Sequence, residues 1–156
     1  MTSGLRDHIS RLFTEYAWRL DAGRYQEWLE LFSESATYKI VPRENVEYGL
    51  PASLMLCKNK DMLRDRITSL LEVNKYNIHS TRHLLGASRF GDPVRDIVTA
   101  ETPFAVYQTD QEGVSRLFGV GEYKSKISCS GSTLLFEENV VQLDTFSVPT
   151  LLADPL

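Results

Sequence analysis

The chain has 156 residues, 42% apolar and 24% charged, a length for one domain over 1–156 and proportions that exclude collagen-like, coiled-coil and disordered readings. Seventeen Lys and Arg stand against 21 Asp and Glu, a net charge of −4, which argues against a grip on nucleic-acid phosphates or anionic lipid. No run approaches the roughly 20 apolar residues of a membrane helix, and Arg6 and Asp7 fall where a signal peptide has its apolar core, so a cytoplasmic location is expected.

The positions Leu5, Ile9, Leu12, Phe13, Tyr16, Ala17 and Leu20 recur at helical spacing, with Thr2 or Ser3 as the N-cap and Gly23 as the stop. A second, shorter helix follows from Arg24, with Tyr25, Trp28, Leu29 and Phe32 on one side and Gln26, Glu27, Glu30 and Ser33 on the other. The two predict a helical hairpin. Ala36 to Val41 alternates with period two as a strand that Pro42 ends. Arg43 to Pro51 has turn-forming residues and no period, which predicts an exposed loop or arm. Ser53 to Cys57 is a short strand, and Asn59-Lys60-Asp61 opens a third helix, capped by Asp61, that carries Leu63, Ile67 and Leu70 or Leu71 inward and ends near Val73.

Four strands fill the remainder. They run from Arg82 to Phe90, from Ile97 to Gln108 with Pro103 demanding a bulge or an edge, from Leu117 to Ile127 with Gly119 and Gly121 permitting curvature, and from Leu134 to Phe146 across a hairpin at 129–132. There are no repeats, low-complexity segments or linkers. Helices ahead of a run of strands predict an α+β fold in which a bent antiparallel sheet wraps the first helix, and the order resembles the cystatin-like (nuclear transport factor 2-like) cone.

Nucleotide, zinc-hydrolase and serine-hydrolase motifs are absent. Three histidines, His8, His79 and His83, and two isolated cysteines, Cys57 and Cys129, cannot build an iron–sulfur site in this chain, and the cysteines are expected to be reduced and partly buried. His79 and His83 lead into a strand, where residues four apart stand about 13 Å from each other, so structural or interface use is expected of them rather than metal ligation. Arg82 and His83 point to opposite sides of that strand, one into the cone and one outward.

A proton-transfer enzyme remains open on residue types alone, because Tyr16, Asp21, Tyr38, Asp65, His83 and Glu101 can supply a carboxylate with a Tyr or His partner. A module that binds a small ligand in the cone is a further alternative. Asp21, beside Gly23 and Arg24, reads as a solvated loop residue or a partner for Arg24. Asp61, Arg64, Asp65 and Arg66 read as a solvated or interface helix start. Trp18 lies off the apolar stripe and Tyr48 sits in the arm, which makes both candidates for contact with another chain.

Several stretches together resemble the β (small) subunits of aromatic-ring-hydroxylating dioxygenases. They are Leu20-Asp21, Arg24-Tyr25, Trp28-Leu29, Leu31-Phe32 and Ala36-Thr37-Tyr38, then Asp61 to Ile67, Ser80-Thr81-Arg82-His83-Leu84, and Glu137 to Asp144 with Pro155-Leu156 at the end. The likeness covers Tyr16 onward. Within the family it is greatest to the small subunits of terephthalate dioxygenase and salicylate 5-hydroxylase, through Pro42-Arg43-Glu44-Asn45 and Gly49-Leu50-Pro51. Residues 73–78 replace a Trp and acidic-Pro stretch of many relatives, and an Asn usual near Ser88 is not evident, which sets the chain apart from biphenyl- and naphthalene-type branches. The resemblance implies a non-catalytic role in an oxygenase acting on an aromatic carboxylate. It implies that the large α subunit holds the Rieske [2Fe–2S] cluster and the mononuclear Fe(II), that three β subunits stand beneath three α subunits, and that reductase or ferredoxin meets this chain only indirectly. No catalytic, cofactor or metal residue is then expected here, and Trp18, Tyr48, Arg64, Arg82 and His83 are the expected interface residues.

Overall fold

The computed structural model describes residues 1–73, 75–76, 78–144 and 155–156. Helix α1 (Ser3–Asp21) is capped by Thr2, whose hydroxyl accepts the Leu5 N–H, and it ends where Gly23 takes φ +68°. Its stripe is buried from Ile9 to Leu20. Helix α2 (Tyr25–Leu29) is one turn long and turns Trp28 and Leu29 inward. Phe32, expected on its face, instead opens strand β1 (Phe32–Pro42) and is buried there. The stretch read as a loop after Pro42 contains a one-turn helix, α3 (Arg43–Glu47), which is exposed and ends at Gly49 with φ +64°. Pro42 leads this helix with the extended backbone and fixed φ that suit a helix start. Strand β2 (Met55–Cys57) and helix α4 (Lys60–Val73) follow. The side chain of Asn59, rather than Asp61, caps α4 by accepting the Met62 N–H at 2.9 Å, while Asp61 pairs with Arg64.

Strands β3 (Ser80–Leu85), β4 (Arg89–Phe90), β5 (Ile97–Thr109), β6 (Ser115–Ser128) and β7 (Leu135–Leu143) complete one seven-stranded sheet in the order β2-β1-β7-β6-β5-β3, with β4 also on β5. The strand expected over Arg82 to Phe90 is therefore interrupted, and Pro103 explains why. Its carbonyl accepts the Gly86 N–H at 2.8 Å, and the missing N–H of the proline faces the same side, where the ladder breaks between β3 and β4. The bulge in the β5–β6 ladder lies elsewhere and belongs to β6, where Phe118 is an extra residue between the pairs Val106–Gly119 and Tyr107–Leu117. The end expected for the last strand, Thr145-Phe146, lies outside the described residues.

The sheet is mixed, which corrects the antiparallel expectation at one ladder: β1 pairs β7 in parallel, from Thr37 opposite Glu138 to Pro42 opposite Leu143. A parallel pair needs a long return path, and the chain between β1 and β7 supplies it. Inward side chains of β5 (Val98, Ala100, Phe104, Val106), β6 (Tyr123, Ile127) and β7 (Phe136, Val141, Leu143) form one core with α1, α2 and α4. Gly121 marks its tightest point, because a Cβ there would stand 2.0 Å from the Gln142 carbonyl oxygen. That oxygen is backbone in a neighbouring strand and cannot turn aside. Gly121→Ala should therefore lower stability by about 3 kcal/mol or more in urea unfolding, whereas Gly4→Ala, which meets nothing within 4 Å, should not lower it.

Candidate functional site: a filled cone and an anchored sheet edge

The α1 stripe carries Tyr16 into the concave side of the sheet, where inward positions of β1, β6 and β7 present Tyr38, Tyr123, Ser125 and Asn139. Apart from Tyr123, these side chains form one hydrogen-bonded chain that ends on Leu156. Ser125 Oγ donates to Asn139 Oδ1 (2.7 Å), and Asn139 Nδ2 donates to the Tyr16 oxygen (3.3 Å). Tyr16 and Tyr38 both donate to the carbonyl oxygen of Leu156, the latter at 2.9 Å, and Leu156 N–H returns a bond to the Tyr38 oxygen at 2.9 Å. Around them the rings of Trp28, Phe32, Phe136 and Tyr123 pack edge to face, with Tyr16 centroids 5.2 to 5.6 Å from Trp28, Phe136 and Tyr123.

Burial pushes the Tyr16 and Tyr123 phenols far above their ordinary value, with neighbouring tyrosines adding to the effect, and burial raises Tyr38 as well. At neutral pH all three are donors, not bases. Among the described residues, Trp28 Nε1, His83 Nε2 and the Tyr123 hydroxyl have no hydrogen-bond partner.

Asp21 departs from its expected place. Its side chain is 8% exposed, and it faces β3 rather than solvent, while Arg24 pairs with Glu27. One carboxylate oxygen lies 2.6 Å from His83 Nδ1 and the other accepts the His83 backbone N–H at 2.9 Å, with Thr81 Oγ1 donating at 3.4 Å. The reason is geometric. His83 is a non-hydrogen-bonded position of the β3–β5 ladder, so its N–H points away from β5 at the open edge of the sheet, where the last turn of α1 passes. Asp21 thus covers a bare edge donor and joins helix to sheet.

The proposed proton-transfer set does not assemble. Tyr16 and Tyr38 meet at Leu156 and Asp21 meets His83, while Asp65 is on the exposed face of α4 and Glu101 is on the outside of β5, where the Arg89 guanidinium holds its carboxyl below the usual range. His83 is inside the chain, and the outward member of the pair is Arg82, 69% exposed. Trp18 and Tyr48 are 67% and 72% exposed, and Arg64 lies on the surface beside Asp61. Cys57 is buried and Cys129 half-buried, both as free thiols, and among the described residues no three His, Cys, Asp or Glu side chains converge on a metal-sized site.

The outer face of the sheet was not singled out by sequence pattern, although the alternation of β3, β5 and β6 carries the signal. At one end Arg89–Glu101, Lys124–Glu122 and Lys126–Glu138 pair with each other. At the other, Leu84, Tyr107 and Leu117 are exposed side by side, since Arg82 opposes Tyr107, Leu84 opposes Ala105 and Tyr107 opposes Leu117.

The model of the ring hydroxylating beta subunit family matches residues 15–149. The chain belongs to that family. The anthranilate 1,2-dioxygenase small subunit of Burkholderia cepacia is 36% identical over 153 residues, covering 95% of this chain and 92% of that one. Subunit beta 1 of the terminal oxygenase component of terephthalate 1,2-dioxygenase from a Comamonas species is 31% identical over 148 residues, covering 95% and 96%. A crystal structure of a chain assigned as the β subunit of an aromatic-ring-hydroxylating dioxygenase, from Novosphingobium aromaticivorans, superposes with a TM-score of 0.89 at 34% identity over 97% of each chain. A Nostoc punctiforme protein described as cystatin-like shares the fold alone, with a TM-score of 0.69 at 16% identity over 96% and 97%. Both of these named relatives are subunits of aromatic-ring dioxygenases, which are oxidoreductases. No helix among the described residues is long and apolar enough to cross a membrane.

Two outcomes follow for this family member. Asp21→Asn keeps the shape but removes a buried charge that serves His83 twice, so urea unfolding should show a loss of about 2–4 kcal/mol. The raised phenols make stability complete below about pH 10 and falling above it, since the unfolded chain then releases tyrosine protons that the folded chain keeps. The slope can reach about 1.4 kcal/mol per pH unit for each phenol, roughly 4 for three. Tyr123→Phe, which removes an unpartnered hydroxyl, should leave stability at pH 7 unchanged or higher and reduce that alkaline slope by about a third.

Proposed function

We propose that this chain is the structural, non-catalytic small subunit of a Rieske non-haem iron oxygenase that adds oxygen to an aromatic carboxylate. Three copies stand beneath three large subunits, and the large subunits hold the iron–sulfur cluster and the mononuclear iron. Anthranilate and terephthalate, in the names of relatives that match almost the whole chain, are both aromatic carboxylates. The observation that carries the non-catalytic part is the filling of the cone. Where a cone-fold enzyme would admit a substrate, Leu156, 1% exposed, sits among aromatic rings with two phenols bound to its carbonyl. The stand-alone proton-transfer reading, a dehydratase or isomerase, needs Asp21 or Asp65 with Tyr38 or His83 at an open cavity; Asp21 does meet His83, but both side chains are buried and the carboxylate also takes the His83 backbone N–H, while Asp65 is exposed on α4.

Contact with other subunits then falls to the surface. Trp18, Tyr48, Arg64 and Arg82 are its side chains, joined by Leu84, Tyr107 and Leu117 on the outer sheet face. His83 serves indirectly, by holding β3 so that Arg82 projects. Electrons reach the irons through the large subunit, and reductase or ferredoxin meets this chain only indirectly.

Co-expression with the large subunit should yield a hetero-hexamer whose iron is accounted for by the large chain, as read by light scattering and metal analysis. Arg82→Ala should lower the yield or thermal stability of the complex, because loss of a desolvated interface charge costs on the order of 2–5 kcal/mol, while turnover per iron stays within about threefold of the parent. Normal assembly with abolished turnover would mean that the chain takes part in the chemistry.

A further inference from the structure

The interior hydrogen bonds converge on one residue from separate elements. Tyr16 of α1 and Tyr38 of β1 both donate to the Leu156 carbonyl, and Tyr38 accepts its N–H. The Leu156 side chain lies beside Gly119 of β6, where a Cβ would stand 4.0 Å from Leu156 Cδ1, an ordinary van der Waals contact. One donor is oriented without help from Leu156, because Asn139 holds Tyr16 and Ser125 holds Asn139, and the Tyr38 oxygen lies 3.4 Å from that of Tyr16. A donor fixed by a supporting shell does not have to be organised by the occupant. Without Leu156, two phenol O–H donors and a space the size of an isobutyl group would remain in a water-poor interior.

We propose that this cradle is a binding site for a small acyl group of leucine type, a carboxylate or amide carbonyl bearing a branched aliphatic chain, and that Leu156 occupies it as an intramolecular ligand. Specificity comes from two sources. The paired O–H donors demand an acceptor with an N–H beside it, and the apolar wall demands a branched chain of about four carbons. Because the occupant is tethered, its effective concentration is of millimolar order, so free ligand enters only when the occupant is removed or weakened. The site goes beyond the structural role proposed above and does not rest on it, since it is read from the isolated chain rather than from assembly or turnover.

The test uses the full chain, the chain lacking Pro155 and Leu156, and full-length Leu156→Gly. Each is melted with and without about 10 mM N-acetyl-L-leucine, N-acetyl-L-leucinamide or N-acetylglycine. Either leucine probe should raise the melting temperature of both variants by about 3 °C or more, and N-acetylglycine should not. The full chain should not respond. The carboxylate and amide probes separate a preference for charge from one for a neutral carbonyl. Tyr38→Phe in the shortened chain should abolish the shift, which a nonspecific solvent effect would leave in place. Should the shortened chain fail to fold alone, the leucine probes should restore its folded yield, and Leu156→Gly supplies the melting comparison. The proposal is overturned if neither leucine probe raises the melting temperature or folded yield of either variant, or if N-acetylglycine does as well. Failure of the unaltered chain to assemble with the large subunit, with intact probe binding in the variants, would count against the structural role and not against this site.

Discussion

A sheet that curls around one helix has more apolar surface on its concave side than a single helical stripe can cover, and in this chain aromatic rings make up the difference. Ile9, Phe13, Tyr16 and Leu20 of α1 fill the middle, and Trp28, Phe32, Phe136 and Tyr123 fill the flanks. Large rings bury much area with little side-chain entropy to lose, and their edge-to-face geometry suits a curved wall. Each phenol brought in this way also carries a hydroxyl that has to be satisfied. The Ser125–Asn139–Tyr16 chain and the Leu156 backbone meet that need for Tyr16 and Tyr38, and the Tyr123 hydroxyl is left over. The polar spine of the cone is thus a consequence of filling it with tyrosines.

Curvature leaves the sheet with two edges, β2 and β3, and the chain treats them differently. At β3, Asp21 accepts an outward N–H and so prevents another strand from pairing there. Strand β2 is only three residues long, with Leu54 just before it and Leu56 within it exposed. The convex face is divided as well. Charges that neutralise each other across strands stabilise a solvated surface weakly and repel apolar partners, whereas Leu84, Tyr107 and Leu117 have no such partners and favour burial against another chain.

The helices and most strands were legible because their signals are local. The α1 stripe, the Gly23 stop, the alternation of β5 and β6 and the inward–outward split of Arg82 and His83 each follow from a few neighbouring residues. What escaped depends on distant contacts. Asp21 looks like a surface carboxylate until β3 is placed beside it, 62 positions along the chain. The parallel pairing of β1 with β7 has no local signature. The one-turn α3 is too short for a period, and the tight turn between Val94 and Ile97 places Arg95 and Asp96 at positive φ without the Asn or Gly that would announce it. Leu156 gives no sign in sequence of being a buried acceptor for two phenols.

The same comparison explains why residue types alone left an enzyme reading open. A general base needs a lone pair free to take a proton from a substrate at hydrogen-bond distance. Asp21 and His83 have the right chemistry, yet the carboxylate is committed to a backbone N–H and to Nδ1, and Tyr123, the phenol it acts on electrostatically, lies in the ring-packed core with Phe104 stacked at 4.3 Å. Of the acid–base candidates read from the sequence, Asp21 and His83 hold two elements together, and Tyr16 and Tyr38 are bound to Leu156. A cone becomes an active site when its polar groups are left without internal partners around a space that water and substrate can enter. Here Asp21, His83, Tyr16 and Tyr38 are present and their partners are internal, so these residues, which resemble a catalytic set in type, act as fasteners of the fold.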